Sequence, residues 1–524
     1  MILNIILVLL YLIVIFYLGY KGWRETRTAS DYMIAGREIN PYVMAMSYGA
    51  TFISTSAIIG FGGAAALFGF SVIWLTFLNI FIGIFLAFVF FGKRTRKMGR
   101  NLDAHTFPEI LGLRYQSRFI QGFSGLVIFV FLPVYAAAVL IGISRFIEVY
   151  LNVPYGAGLL GFSLILALYV IWGGLKGVMY TDALQGTLMF VMMAILVIFT
   201  YSQLGGITHA HETLTQMANL VPEKLKAMGH MGWTASPKNG SPLWWIVYST
   251  IVYGVGIGVL AQPQLAVRFM TVKNDASLNR AVLVGGIFIL AMTGIAFTVG
   301  PLSNAIFFQK FGKISIAMAK GNIDKIIPIY IEKIMPSWFA TLFLLAMMAA
   351  AMSTLSSQYH VGGTSLGRDF YEKSLGKRGG GEVMATRFGV GLTILFTIGW
   401  GLFLPPSIIA IATAFFFGLC SSTFLPMYFS ALYWKRATKA GAVASMVGGF
   451  IASFFWLIFI HKKEAAAIGL CKALTGNVTL LGFPWNVVDP NVIALPISIF
   501  LMIVVSLLTP SMDEEHVETC FEWI

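Results

Sequence analysis

Hydroxyls and glycines gather where a membrane helix is ordinarily rich in Leu. The run Gly49-Ala50-Thr51-Phe52-Ile53-Ser54-Thr55-Ser56 lies inside Pro41 to Phe70, a stretch long enough to cross a bilayer. Gly49, Gly60, Gly62 and Gly63 weaken a helix there, and Thr51, Ser54, Thr55 and Ser56 supply oxygens. A helix that breaks at membrane depth leaves backbone groups unpaired, which is tolerated only where they line a cavity or hold an ion or solute. The same composition also suits a close helix–helix seam. A second oxygen-rich run is Ala349-Ala350-Ala351-Met352-Ser353-Thr354-Leu355-Ser356-Ser357. On a helix, Ser353 and Thr354 are adjacent and the Ala350 carbonyl lies one turn before them, a patch of hard oxygens suited to an alkali cation. The alternative is a Ser/Thr pair bonded back to its own helix. The third run, Tyr253-Gly254-Val255-Gly256-Ile257-Gly258-Val259-Leu260-Ala261-Gln262-Pro263-Gln264, joins three alternating glycines to a proline and predicts another interrupted helix. Its G-x-G-x-G pattern is not a nucleotide fingerprint, because no strand precedes it.

The elements that must position these runs are membrane helices. The 524 residues are 58% hydrophobic and 11% charged, against about 25% charged in soluble domains. An all-α polytopic membrane protein with a single membrane domain, 1–524, follows. Thirteen candidate spans lie near 2–20, 42–69, 71–92, 120–148, 156–174, 180–203, 243–264, 280–307, 337–359, 385–404, 407–432, 440–460 and 490–509. Met1 to Tyr20 reads as a retained helix, without the basic leader of a signal peptide. Most of the 35 Lys and Arg, Arg268 and Arg368 among them, fall in alternate loops, which puts the N-terminus outside and the C-terminus in the cytoplasm of a plasma-membrane protein. The net charge of +13 therefore needs no nucleic-acid partner. Asp103 to Ser117 reads as an amphipathic helix at the inner interface, and the tail beginning Asp513-Glu514-Glu515-His516 as solvated. Cys420, Cys471 and Cys520 are too scattered for a disulfide framework or a metal cluster, and His209, His211 and His230 read as solvated loop residues.

Position connects the three runs. With the first span set aside, 42–203 and 243–432 each hold five spans, and each set begins with an interrupted one; 440–509 adds two more. Five is odd, so the sets insert with opposite topology, the pattern of an inverted-repeat transporter. Glu148 and Asp182 fall near span ends, and no carboxylate falls mid-span. Proton-driven carriers usually hold a titratable group at depth, so sodium is the expected coupling ion, with no other cofactor.

On these residues the chain resembles the sodium:solute symporter family, the group of the bacterial proline and pantothenate carriers and the sodium–glucose cotransporters. The matching pieces are Ala50 to Ser54, Gly173 to Gly186, Gln262-Pro263 with Ala266-Val267-Arg268, Ala350 to Leu355, and Leu432 to Arg436 with Gly441. They cover nearly the whole chain. The resemblance implies a LeuT-like core and a sodium site made of the carbonyls of Ala50, Ile53 and Ala350 and the hydroxyls of Ser353 and Thr354, with Asp182 steadying the cation from behind. It places the solute against Thr51, Phe52, Thr55, Ser56, Val255, Val259, Gln262, Pro263, Phe417 and Ser421. Proline carriers have an aspartate where Phe52 stands, and aromatic residues where Val255 and Val259 stand. The pantothenate and monocarboxylate carriers are closer to Ala50–Ser56 and to Arg114–Arg118. A small organic anion is the expected solute, favoured also by the amides that open the half-helix near Ser56. An amino-acid or sugar symporter, or a proton-coupled permease, stands as the alternative; no catalytic set appears at one depth, so an enzyme is not expected.

Overall fold

The computed structural model describes residues 2–376 and 382–524, and these are helical throughout apart from their connections. Lys377 and Arg378, counted above among the inner charges, lie outside the described residues. In chain order the helices used below are α1 (Ile2–Glu25), α2 (Pro41–Phe52), α3 (Ser56–Phe68), α4 (Phe70–Asn101), α5 (Phe107–Arg114), α6 (Arg118–Tyr150), α7 (Tyr155–Gln203) and α8 (Pro242–Ala261). Then follow α9 (Pro263–Phe269), α10 (Asp275–Phe311), α11 (Ile326–Ile334), α12 (Ser337–Ser374), α13 (Val383–Phe403), α14 (Ile409–Tyr433), α15 (Lys439–Phe459), α16 (Asn491–Leu508) and α17 (Glu514–Phe521). Among the described residues, eleven helices are long and apolar enough to cross a membrane, and the pair α2–α3, bent by 49°, makes a twelfth.

The remaining expected span, 156–174, is the first limb of α7. Helical backbone runs from Tyr155 to Gln203, 49 residues, but not as a straight rod, which would be about 73 Å long. Tyr155 donates to the Gly401 carbonyl (2.7 Å) and lies under Arg145, whose partner Glu148 also pairs with Lys325 (2.9 Å). At the other end, Thr200 meets Tyr330 (2.8 Å) and Gln203 meets Lys310 (3.1 Å). Both ends therefore lie on one face, while Lys176 pairs with Glu25 at the far end of α1 (3.3 Å). The chain doubles back between them, giving the two spans expected.

Three expectations change. The glycines of Tyr253–Gln264 do not break the helix: α8 continues through Gly254, Gly256 and Gly258 and stops only at Gln262, whose backbone is extended (φ −74°, ψ 115°). Pro263 is the cause, since its ring drives the residue before it out of helical geometry. The glycines instead admit neighbours, Gly256 against Leu78 and Gly258 against the Phe417 carbonyl. Secondly, α5 is not interfacial. Every residue of it except Leu113 is buried, and Arg114 closes the end of α14 by donating to the carbonyls of Ala431 (3.3 Å) and Trp434 (3.3 Å). Its charge is used on a helix C-terminus, not on lipid headgroups. Thirdly, the tail docks as α17, with Val517 and Cys520 buried, Phe521 under Arg114, and Lys97 and Asn101 donating to the carbonyls of Trp523 and Glu522.

The crossing of α1 over α7 shows how small residues bind helices in lipid, where close packing replaces the hydrophobic effect. A Cβ placed on Gly22 would collide with the Gly177 backbone. Gly22→Val is expected to cost about 1–3 kcal/mol, the usual penalty of overpacking. Thermal unfolding in detergent measures it, and an unchanged midpoint would contradict the contact.

Candidate functional site

The break in α2–α3 is set by Ile53 and Ser54. Ile53 is extended (φ −92°, ψ 98°), and its carbonyl accepts no hydrogen bond among the described residues. Ser54 serves as the cap of α3: its hydroxyl accepts from the Ser56 amide (3.1 Å) and its carbonyl from Ala57 (3.0 Å) and Ile58 (3.2 Å). The amides that open α3 are thus already satisfied, which corrects the expectation that they stand free for an anion. Gly60, Gly62 and Gly63 do not loosen this half-helix; they let Ile409, Ile327 and Ile323 approach it.

Against the break runs α12. The Ser353 hydroxyl donates to the carbonyls of Ala50 (2.8 Å) and Ala350 (3.2 Å), and the Thr354 hydroxyl to those of Ala50 (3.3 Å) and Thr51 (3.1 Å). Ala50, Ala350, Ser353 and Thr354 are therefore one cluster, wholly buried. Both hydroxyls bond across to the broken helix, and that of Ser353 also bonds back to its own.

Beside this cluster lies a buried ion pair that sequence reading missed. Arg268, counted above as an inner-loop charge, is wholly buried on α9 and pairs with Asp182 of α7 at 3.1 Å. The Ser47 hydroxyl donates to Asp182 (2.6 Å) and accepts from Arg268 Nε (3.0 Å), and the guanidinium also reaches the hydroxyls of Thr51 and Ser357 and the Gln264 carbonyl. Asp182 Oδ1 has no partner among the described residues. Four helices meet here, α2, α7, α9 and α12, and both interrupted segments contribute. The signal was present: Arg268 interrupts Leu265-Ala266-Val267-Arg268-Phe269-Met270, an apolar setting unlike a loop, and Ser47 and Ser357 stand four residues from Thr51 and Ser353, on the same helix faces. Arg368, also counted as a loop charge, is buried against Glu109 (3.0 Å).

The expected solute residues divide. Phe52, Ser56, Val255 and Phe417 line one small cavity of about 30 Å³, together with Asn79, Tyr135, Thr293 and Thr413, which sequence reading did not single out. The Tyr135 hydroxyl lies beside those of Ser54 and Ser56, which bond one another (2.9 Å), and its ring meets Phe417 edge to face at 5.2 Å. Val259 stands beside Phe52, both facing Gly83. Thr51 belongs to the Arg268 network, and Thr55 turns away to the Val139 carbonyl of α6 (2.6 Å). Gln262 and Pro263 form the α8–α9 break, the Gln262 side chain held by Gly258 and Gln264. Ser421 is buried without a partner for its hydroxyl among the described residues. No group of three metal-ligating side chains occurs among the described residues. His211 bonds Tyr201 and His230 the Leu67 carbonyl; burial pushes both imidazoles below their usual range, and His230 is not solvated as expected.

The model of the sodium:solute symporter family matches residues 32–449. The chain is 27% identical over 459 residues to the sodium/pantothenate symporter of Haemophilus influenzae, covering 86% of this chain and 90% of that one. It is 28% identical over 482 residues to sodium/proline symporter 2 of Staphylococcus saprophyticus, covering 88% and 87%. Among solved structures, the substrate-bound outward-open state of a Na+-coupled sialic acid symporter superposes with a TM-score of 0.76 at 20% identity, covering 97% of this chain and 98% of that one.

Proposed function

The chain belongs to the sodium:solute symporter family, and from that premise we propose that it imports a small carboxylate-bearing solute with sodium. It is a secondary transporter with the LeuT-like fold, coupling a small solute to sodium by alternating access. The observation that carries the sodium half of this reading is the meeting of Ser353 and Thr354 with the carbonyls at the α2–α3 break. Sodium is taken by the carbonyls of Ala50, Ile53 and Ala350 and the two hydroxyls, which must turn their protons away from those carbonyls to do so. Asp182 adds negative charge one layer behind, and Arg268 holds it in place.

The solute enters between α3, α8 and α14 and settles against Phe52, Ser56, Val255 and Phe417, where the hydroxyls of Ser54, Ser56 and Tyr135 meet its carboxylate. Pantothenate and proline, the solutes named for two relatives, are both carboxylates, and that common group supports the reading. A cavity of about 30 Å³ holds little more than one water, so the pocket widens when the solute is bound. The outer face is extracellular and the C-terminus cytoplasmic, and the repeats are 42–203 and 243–432.

Uptake into proteoliposomes tests the function. An inward sodium gradient is expected to drive accumulation of one or more of a panel of carboxylates, and potassium is not. Accumulation in sodium-free buffer under an acid-outside gradient would instead make the carrier proton-coupled.

A further inference from the structure

The outer mouth is completed by a segment that belongs to neither five-helix set. Above the small cavity is a second one of about 840 Å³. The same three helices wall both, the upper one a turn further out: Gly60 and Ala64 on α3 above Ser56, Thr250 and Ile251 on α8 above Val255, Ala410 and Ala414 on α14 above Phe417. A solute coming from outside crosses the upper cavity first. The connection before α16 dips into its wall, anchored where Trp456 donates to the Val488 carbonyl (3.1 Å). Asp489 then inserts between α8 and α14. A Cβ on Gly254 would stand 3.3 Å from its carboxyl atoms, and one on Gly418 3.6 Å from Oδ1. Gly254 and Gly418 each neighbour a residue of the small cavity, Val255 and Phe417.

Asp489 lines the upper cavity beside Thr250 and is held for that position: its amide donates to the Ser249 hydroxyl (3.1 Å), and Oδ1 accepts from the Asn491 amide (2.9 Å). The second observation is independent. Asn491 is wholly buried beside Gly418, and neither the oxygen nor the nitrogen of its carboxamide has a partner among the described residues. A buried amide without partners is a deficit that a ligand with donors and acceptors relieves.

We infer that Asp489 and Asn491 determine solute specificity, selecting acids that also carry a hydroxyl or amino group over plain carboxylic acids. The inference rests on the carboxylate reading above and narrows it to hydroxy or amino acids. Asp489 accepts from the donor group where it lines the upper cavity, while Asn491, which sits behind Gly418 and lines neither cavity, pairs with the same group or the adjoining oxygen once the pocket has widened for the solute. A plain acid leaves both unsatisfied, and sites built to hydrogen-bond a substrate group discriminate strongly against the analogue without it.

The test compares thermal stabilisation of the purified full-length protein in saturating sodium by plain, 2-hydroxy and 2-amino acids of three to ten carbons. The hydroxy or amino acids are expected to act at concentrations at least about tenfold lower than the plain acids of the same length (~1.4 kcal/mol). Asp489→Asn and Asn491→Ala are each expected to remove that preference and leave the response to plain acids within about twofold. Sodium-induced stabilisation retained in each variant shows that it is folded, and either variant alone suffices for the comparison. An undiminished preference in the folded variants, or no preference in the parent protein, overturns the inference while leaving the carboxylate reading intact. Stabilisation by neutral solutes and by none of the acids overturns the carboxylate reading itself, and the inference with it.

Discussion

Replacing Ser353 and Thr354 together by Ala is expected to raise the sodium concentration for half-maximal uptake at least about tenfold, or ~1.4 kcal/mol of sodium binding. The two hydroxyls stand within 2.8–3.3 Å of the carbonyls of Ala50, Ala350 and Thr51, so the double substitution takes two of five proposed ligands from one point. Helix propensity works the other way, because Ala favours α12 over Ser or Thr, so the fold is expected to persist. Sodium-titrated uptake separates the effects: the maximal rate at saturating sodium changes far less than the sodium midpoint. Thr55→Ala is the control. Thr55 lies on the same broken helix but donates to Val139, away from the cluster, and its sodium midpoint is expected to stay put. An unmoved midpoint in the double variant would remove Ser353 and Thr354 from the sodium site.

The second large effect falls on stability. Arg268→Met leaves Asp182 wholly buried with no cation, and removing one partner of such a pair costs about 3–5 kcal/mol. Asp182→Asn strands the guanidinium in the same way, although Ser47, Thr51, Ser357 and the Gln264 carbonyl still surround it. The double variant Asp182→Asn with Arg268→Met is expected to be more stable than Arg268→Met alone, since no buried charge is left uncompensated. Thermal unfolding of the four proteins in one detergent closes the cycle. Additive losses would mean that the two groups do not interact. Because the pair joins α9 to α2, α7 and α12, uptake is expected to fall in Arg268→Met even below its unfolding temperature.

Much of this was legible in the chain as written. Spans about 20 residues long follow from bilayer thickness, and the interruptions at Ile53-Ser54 and Gln262-Pro263 follow from local chemistry. Proline acts on the residue before it, and a serine can take the amides that a helix start leaves open. The oxygens of Ala350, Ser353 and Thr354 share a patch because a helix repeats every 3.6 residues. Local rules also misled. Gly254, Gly256 and Gly258 look like helix breakers, yet in lipid a backbone keeps its hydrogen bonds, and glycine serves as room for Leu78, Asp489 and Phe417. The amides near Ser56 look like an anion site until Ser54 is seen to fill it.

What the sequence by itself determined was the class of molecule, the number of crossings, the two interrupted segments and the family whose motifs they carry. Only the tertiary structure decided the partners. Asp182 and Arg268 are 86 residues apart, Ser353 and Ala50 303, and no periodicity links positions so distant. A charge count reads Arg268 as a loop residue because it has no term for a counter-ion on another helix. Asp489 is likewise a loop aspartate until the glycines of α8 and α14 are seen to open around it. Propensity and hydropathy act within a few turns of one helix, whereas packing and charge pairing act between helices that only the fold brings together.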